Sequence, residues 1–209
     1  MSFSTSFVAA AGFAALSFFA GDASAAVLFQ DDFTRSNSDS VGNGWSEVEN
    51  DANDVTINNK RLFLRDTLTD GVDAAASSLV IDATGYKNLS IQFKWKSINN
   101  NELSDNVFLS WALDPAPVQT NPDLWTLLFK GSADETSYHF ENVSLSGADN
   151  SMFNLMFWTD VDQANEGFLI DAVKVSGNAI SAVPLPAGLP LLAGGLAAFG
   201  LARRKRKQA

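Results

Sequence analysis

From Leu89 to Lys96 every second residue is apolar: Leu89, Ile91, Phe93 and Trp95 alternate with Ser90, Gln92, Lys94 and Lys96. A period of two puts one set on each face of an extended strand, whereas a helix would scatter both sets around its axis. A strand of this kind buries one face against a second layer and leaves the other to water, as antiparallel sheets do. Shorter runs at Val27 to Phe33, Val55 to Leu64, Ser78 to Ile81, Val107 to Leu113, Leu124 to Lys130, Thr136 to Phe140, Met152 to Thr159 and Phe168 to Val175 are bounded by Asn, Asp, Gly and Pro. The run Met152 to Trp158 is apolar on both faces, which predicts a central strand. No convincing amphipathic helix interrupts the series. The expected fold is all-β: a two-sheet antiparallel sandwich over residues 26–178.

A chain of 209 residues without cysteine must stabilise such a sandwich by its core or by a bound ion, because disulfides are not available. Charge is unevenly spread. Between Ala26 and Ala182 there are 23 acids and nine bases, a formal charge of −14, while five of the 14 basic residues crowd the last seven positions. A body so acidic opposes binding to nucleic acid, and a DNA or RNA partner is excluded on that ground. Its acidity suits either cation binding or solubility outside a cell.

The two ends differ from the body. Phe7 to Phe19 is uncharged and apolar, and it runs into Ala23-Ser24-Ala25, a small-x-small cleavage pattern with Ala23 and Ala25 at the small positions. Residues 1–25 therefore read as a signal peptide, although its n-region carries only the terminal amine as positive charge. At the far end no charged side chain occurs from Val175 to Ala202, and residues 183–202 are long enough to cross a hydrocarbon core as a helix. Arg203, Arg204, Lys205, Arg206 and Lys207 follow directly. The positive-inside rule keeps that cluster cytoplasmic and sends the body outside, with residues 179–182 as the linker.

The string Val183-Pro184-Leu185-Pro186-Ala187, followed by a Gly- and Leu-rich apolar stretch and a terminal basic cluster, resembles a VPLPA-CTERM sorting signal, a variant of the PEP-CTERM class. The resemblance covers residues 183–209. It implies an exosortase-type membrane processing enzyme as partner and an inner-membrane-tethered precursor that ends at the cell surface or outside the cell. Two patterns in the body carry a second resemblance. Asp31-Asp32-Phe33-Thr34-Arg35 with Val41-Gly42-Asn43-Gly44-Trp45 and Ile57-Asn58-Asn59-Lys60-Arg61-Leu62 resembles the opening of jelly-roll domains of the concanavalin-like and carbohydrate-binding-module kind. Glu166 to Val175 is similar to their closing strand.

Catalytic chemistry is scarce. The lone histidine, His139, lies between Tyr138 and Phe140 on an alternating run and is expected to face solvent. Without cysteine or a second histidine, a Cys/His nucleophile or a multi-histidine metal site is impossible within one chain. No E-x-D-x-x-E string supplies a glycosidase pair, and Glu47 and Glu49 read as part of a solvated acidic turn. The chain is expected to be no enzyme.

Calcium is the plausible ion, because it takes hard oxygen ligands in flexible geometry. Asp32 and Asp171 resemble positions flanking a structural calcium in jelly-roll binding modules. In simple alternation Asp171 shares a face with Leu169, Val173 and Val175, so its carboxylate needs either an ion or backbone amides. The loop Asp160, Asp162, Asn165, Glu166 reads as an acidic turn. Of the five tryptophans most are expected in the core, with Trp125, after the Pro-rich loop 114–122, the candidate for an exposed sugar-stacking ring. These features give two readings of an exported surface or matrix protein. One binds extracellular polysaccharide through the sandwich, and the other is structural or adhesive without a carbohydrate site.

Overall fold

The computed structural model describes residues 25–180 except 50, 52, 67–73, 99–100, 117–123, 134–136 and 164. The signal peptide and sorting signal expected from the sequence lie outside the described residues. Among the described residues no helix is long and apolar enough to cross a membrane.

Twelve strands are described: β1 (Ala26–Asp31), β2 (Ser46–Val48), β3 (Val55–Ile57), β4 (Leu62–Leu64), β5 (Ala75–Ser77), β6 (Ile81–Asp82), β7 (Tyr86–Ser97), β8 (Asn106–Leu113), β9 (Thr126–Ser132), β10 (His139–Leu145), β11 (Met152–Thr159) and β12 (Phe168–Ala179). They form two antiparallel sheets. The first runs β10-β7-β12-β4-β3, with β1 on the edge of β12 beyond β4. The second runs β2-β5-β11-β8-β9, with β6 beside β5 on β11. The two-sheet antiparallel sandwich expected from the alternation is the fold.

Three strands come in addition to the expected nine: β2, which no alternating run marks, and two more at the runs 55–64 and 78–81. The run Val55 to Leu64 is a hairpin rather than one strand. Asn59 and Lys60 take positive φ angles of 48° and 63°, and Asn58 and Arg61 exchange backbone bonds of 2.9 and 3.1 Å across them. That is the two-residue turn whose twist suits a tight hairpin, and Asn tolerates the left-handed conformation. The strand expected at Ser78 to Ile81 is displaced: Ser78 to Val80 form the break between β5 and β6, and only Ile81 of that run is in a strand. Ser78 ends β5 by bonding across to β11: its amide donates to Leu155 O and its hydroxyl accepts from Leu155 N.

The alternation of β7 is realised in full. Leu89, Ile91, Phe93 and Trp95 are buried, and from the opposite sheet Leu155 and Phe157 of β11 enter the same core. Phe93 meets Phe157 and Phe129 edge-on at 5.2 and 5.3 Å, and Trp95 meets Phe129 at 5.6 Å. Burying a side chain of this size contributes about 1.5–3 kcal/mol. Edge-on aromatic pairs add roughly 0.5–1.5 kcal/mol each. Strand β11 is central, as its two-faced apolarity predicts: its outward Met156 is as fully buried as its inward Leu155.

Candidate functional site

Because β7 turns its apolar set inward, Ser90, Gln92, Lys94 and Lys96 stand on the outer face of the first sheet. The strands on either side extend this face. On β10, His139 packs its ring against Trp95 at 5.5 Å and Glu141 accepts a 3.1 Å bond from Trp95 Nε1, so Phe140, Asn142 and Ser144 point away from the core. On β12, Phe168, Ile170, Val173 and Val175 are core residues, leaving Leu169, Asp171, Lys174 and Ser176 outward.

Register then aligns these residues in rows: Phe140-Lys94-Asp171, Asn142-Gln92-Lys174 and Ser144-Ser90-Ser176. The last row is tied by a 3.1 Å contact between the Ser90 and Ser176 hydroxyls. Neighbours stand about 5 Å apart across strands and about 7 Å apart along them. A further row, Lys96-Leu169-Phe63, ends beside Tyr138, whose ring lies 5.2 Å from both Lys96 Nζ and Arg61 Cζ. Phe140 is 60% exposed and Tyr138 39%. Burial and the charge of Asp171 push the Tyr138 phenol up, against the pull of Arg61. The result is an open sheet face of aromatic rings, amides, hydroxyls and cations.

The sequence expected the reverse orientation around His139. The alternation Tyr138-His139-Phe140 is present, but the imidazole turns toward Trp95 and the phenyl ring toward water. Alternation alone cannot choose which side is inside, and the edge position of β10 leaves Phe140 no second layer to meet.

Asp171 differs from its expected setting for a comparable reason. Ala172 adopts φ 53° and the pairing with β7 skips between Asp171 and Lys174. This bulge inserts one residue, so Ile170 and Val173 both face the core while Asp171 stays half-exposed on the outer face. The burial argument for an ion there lapses. Asp32 is exposed and accepts from the Thr34 hydroxyl and amide at 2.7 and 3.1 Å, and this turn holds its carboxyl below the ordinary range.

The buried acid of the opening motif is instead Asp31. Its carboxylate receives Arg35 through two bonds of 2.8 and 3.0 Å, the Phe33 amide at 2.8 Å, Asn43 at 3.2 Å and Trp45 Nε1 at 2.8 Å. Burial alone would raise its pKa, but these donors together hold it below the ordinary value. The Asp-x-Phe-x-Arg and Gly-Asn-Gly-Trp patterns are thus two halves of one cross-link, closed by a cation from the chain itself.

Trp125 is not an exposed platform. It is 5% exposed and packs with Ala75 and Met156 on the outer side of the second sheet, beside Val48, Ala112 and Trp158. Trp158 stacks on Phe108 at 3.8 Å and 13°, and Lys130 lies over the Phe108 ring.

The loop expected as a solvated acidic turn is partly buried. Carboxylate oxygens of Glu102, Asp162 and Glu166 lie within 4.8 Å of one another, and Glu166 is 1% exposed. Burial, then the charge of Asp105, pushes the Glu166 carboxyl up; burial, then Asp162 and Glu102, does the same to Asp105. The sequence could not show this cluster, because Glu102 and Asp105 come from a loop about sixty positions away from Asp162 and Glu166.

Fold and surface together define a two-sheet antiparallel β-sandwich with one open polar and aromatic sheet face. Among solved structures the chain is similar to a cleaved adhesin domain of Lys-gingipain from Porphyromonas gingivalis, with a TM-score of 0.54, 10% identity, and coverage of 73% of this chain and 99% of that one. It is also similar to a family 29 carbohydrate-binding module, at TM-score 0.46, 13% identity, and coverage of 73% and 88%. A variant of such a module complexed with mannohexaose gives 0.47, 13%, and 73% and 91%. Likeness at such identity bears on the fold. No family profile matches the chain, and no curated protein does.

Proposed function

We propose that this is an exported surface or extracellular-matrix protein, sorted by an exosortase through residues 183–209, whose sandwich binds extracellular polysaccharide on the outer face of the first sheet. The observation that carries the binding site is Phe140, a large ring 60% exposed near the start of the edge strand β10 and in register with Lys94 and Asp171. A lone exposed apolar residue is ordinary, but this one sits in a grid of Asn142, Gln92, Ser144 and Ser90, whose amides and hydroxyls match the hydroxyls of a sugar while the ring offers a stacking face. Binding rather than catalysis is further supported by His139, which is packed on Trp95 and has no place on that face.

Glycan-array binding is the test. Phe140→Ala should reduce binding strongly while leaving the melting temperature unchanged, since the ring contributes little to the core. Equal glycan binding by the variant would remove the face from the account. No glycan binding by the wild type would favour a structural or adhesive surface protein with the same export route.

A further inference from the structure

The formal charge of −14 for the body hides a local reversal. Four of its nine bases, Arg61, Lys94, Lys96 and Lys174, stand on the outer face of the first sheet. Asp171 is the one acid in the rows of that face; Glu141, on the edge strand β10, is turned inward to Trp95. Two of the cations are held against a ring, and a third stands at a defined register position. Arg61 and Lys96 both lie against the Tyr138 ring, and Lys94 stands in register between Phe140 and Asp171. Many of the acids lie in loops, such as Asp32, Asp51, Glu102, Asp149 and Asp162.

We infer that the ligand of this face is an acidic polysaccharide, one whose sugars carry carboxylate or sulfate groups. This rests on the polysaccharide reading above and names its chemical class. Charge complementarity is the argument. A neutral glycan has no use for four cations, whereas an acidic chain lying along the rows meets Lys94 and Lys174 on neighbouring strands and the Arg61/Lys96 pair at one end. The expectation from total charge, that the body repels polyanions, does not carry over to this face: repulsion from the rest of the body is screened beyond about 8 Å at physiological ionic strength, so local charge decides contact there. Amides and hydroxyls at Asn142, Gln92, Ser90 and Ser144 favour a sugar over a membrane surface, which would leave those groups without hydroxyl partners. Between them these rows also set polarity: the anionic groups belong near Lys94, Lys96 and Lys174, and the uncharged sugars near the serine row.

The experiment titrates full-length protein in non-ionic detergent with polygalacturonate and with the same polymer fully methyl-esterified. The acidic polymer should bind at least about tenfold more tightly, and the difference should vanish in about 1 M salt, where the screening length is roughly 3 Å. Lys94→Glu combined with Lys174→Glu should lower affinity for the acidic polymer by about tenfold or more, as like charges oppose at an interface. Lys94→Gln with Lys174→Gln, which sets no like charge opposite Asp171, should give an intermediate loss with the melting temperature unchanged. Equal affinity for both polymers overturns the acidic-ligand inference and leaves polysaccharide binding standing. Absence of binding to either polymer and to a panel of neutral glycans removes both. Preference for phosphatidylglycerol vesicles over polygalacturonate assigns the face to a membrane and also overturns the inference.

Discussion

The indole Nε1 of Trp45 donates a 2.8 Å hydrogen bond to Oδ2 of Asp31, fourteen residues earlier in the chain, and so ties the end of the first strand to the loop before the second. The same carboxylate holds Arg35, and the indole packs at 5.7 Å from Phe33 and 6.3 Å from Phe157 of the opposite sheet. A polar node and the core therefore share one side chain.

Asp31→Ala should be among the most damaging single changes in the domain, costing on the order of 3 kcal/mol because it strands Arg35 and the indole N–H without an acceptor. Thermal denaturation reads the loss. The carboxyl is held below its ordinary value near 3.8, so its contribution is fully present above that value and disappears as pH falls below it. A variant as stable as the wild type at neutral pH would refute the node.

Asp105 and Glu166 act in the opposite sense. Their carboxyls are raised above ordinary values of 3.8 and 4.5, so the folded state binds their protons more tightly than the unfolded state does. Stability from these groups is complete below those values and is lost as pH rises through the raised ones. The melting temperature should therefore rise on mild acidification from neutral pH, and Glu166→Gln should blunt that rise. Chelation in the same series tests calcium. A melting temperature lowered by chelator in wild type but not in Glu166→Gln places an ion at this cluster, dependence on Asp171→Asn places it at Asp171, and no response removes calcium.

Gly131 is required by its neighbour. A Cβ there would stand 2.6 to 2.9 Å from three atoms of the Trp95 ring, which is 3% exposed and fixed between Phe129 and Phe168. Gly131→Ala should destabilise the domain by about 1–3 kcal/mol, the usual range for overpacking a filled core, read from denaturant unfolding. An unchanged midpoint would show that the ring can move.

The terminal basic cluster is testable without structure. Replacing Arg203, Arg204, Lys205, Arg206 and Lys207 by neutral residues should impair retention and sorting of the tail, because the positive side of a membrane helix sets its orientation. Cell fractionation showing unchanged localisation and processing would defeat the sorting proposal.

The sequence alone determined the layered all-β architecture and the inward faces of β7 and β11, because strand periodicity is a local property written in consecutive residues. It also showed the four polar residues of β7 that became the middle column of the candidate face. It did not show that Asp171 and Lys174 would stand beside them, because a single positive-φ residue at Ala172 reverses the alternation and nothing in the apolar pattern marks it. Nor could it place His139 inward and Phe140 outward, since that choice depends on which surface the second layer covers, or bury Trp125, which packs with Ala75 and Met156 on the outer side of the second sheet. The rows joining Phe140, Lys94 and Asp171, and the contact of Arg61 and Lys96 with Tyr138, bring together positions tens of residues apart. Total charge was legible by counting; only strand pairing decided that the cations of an acidic chain would gather on one face.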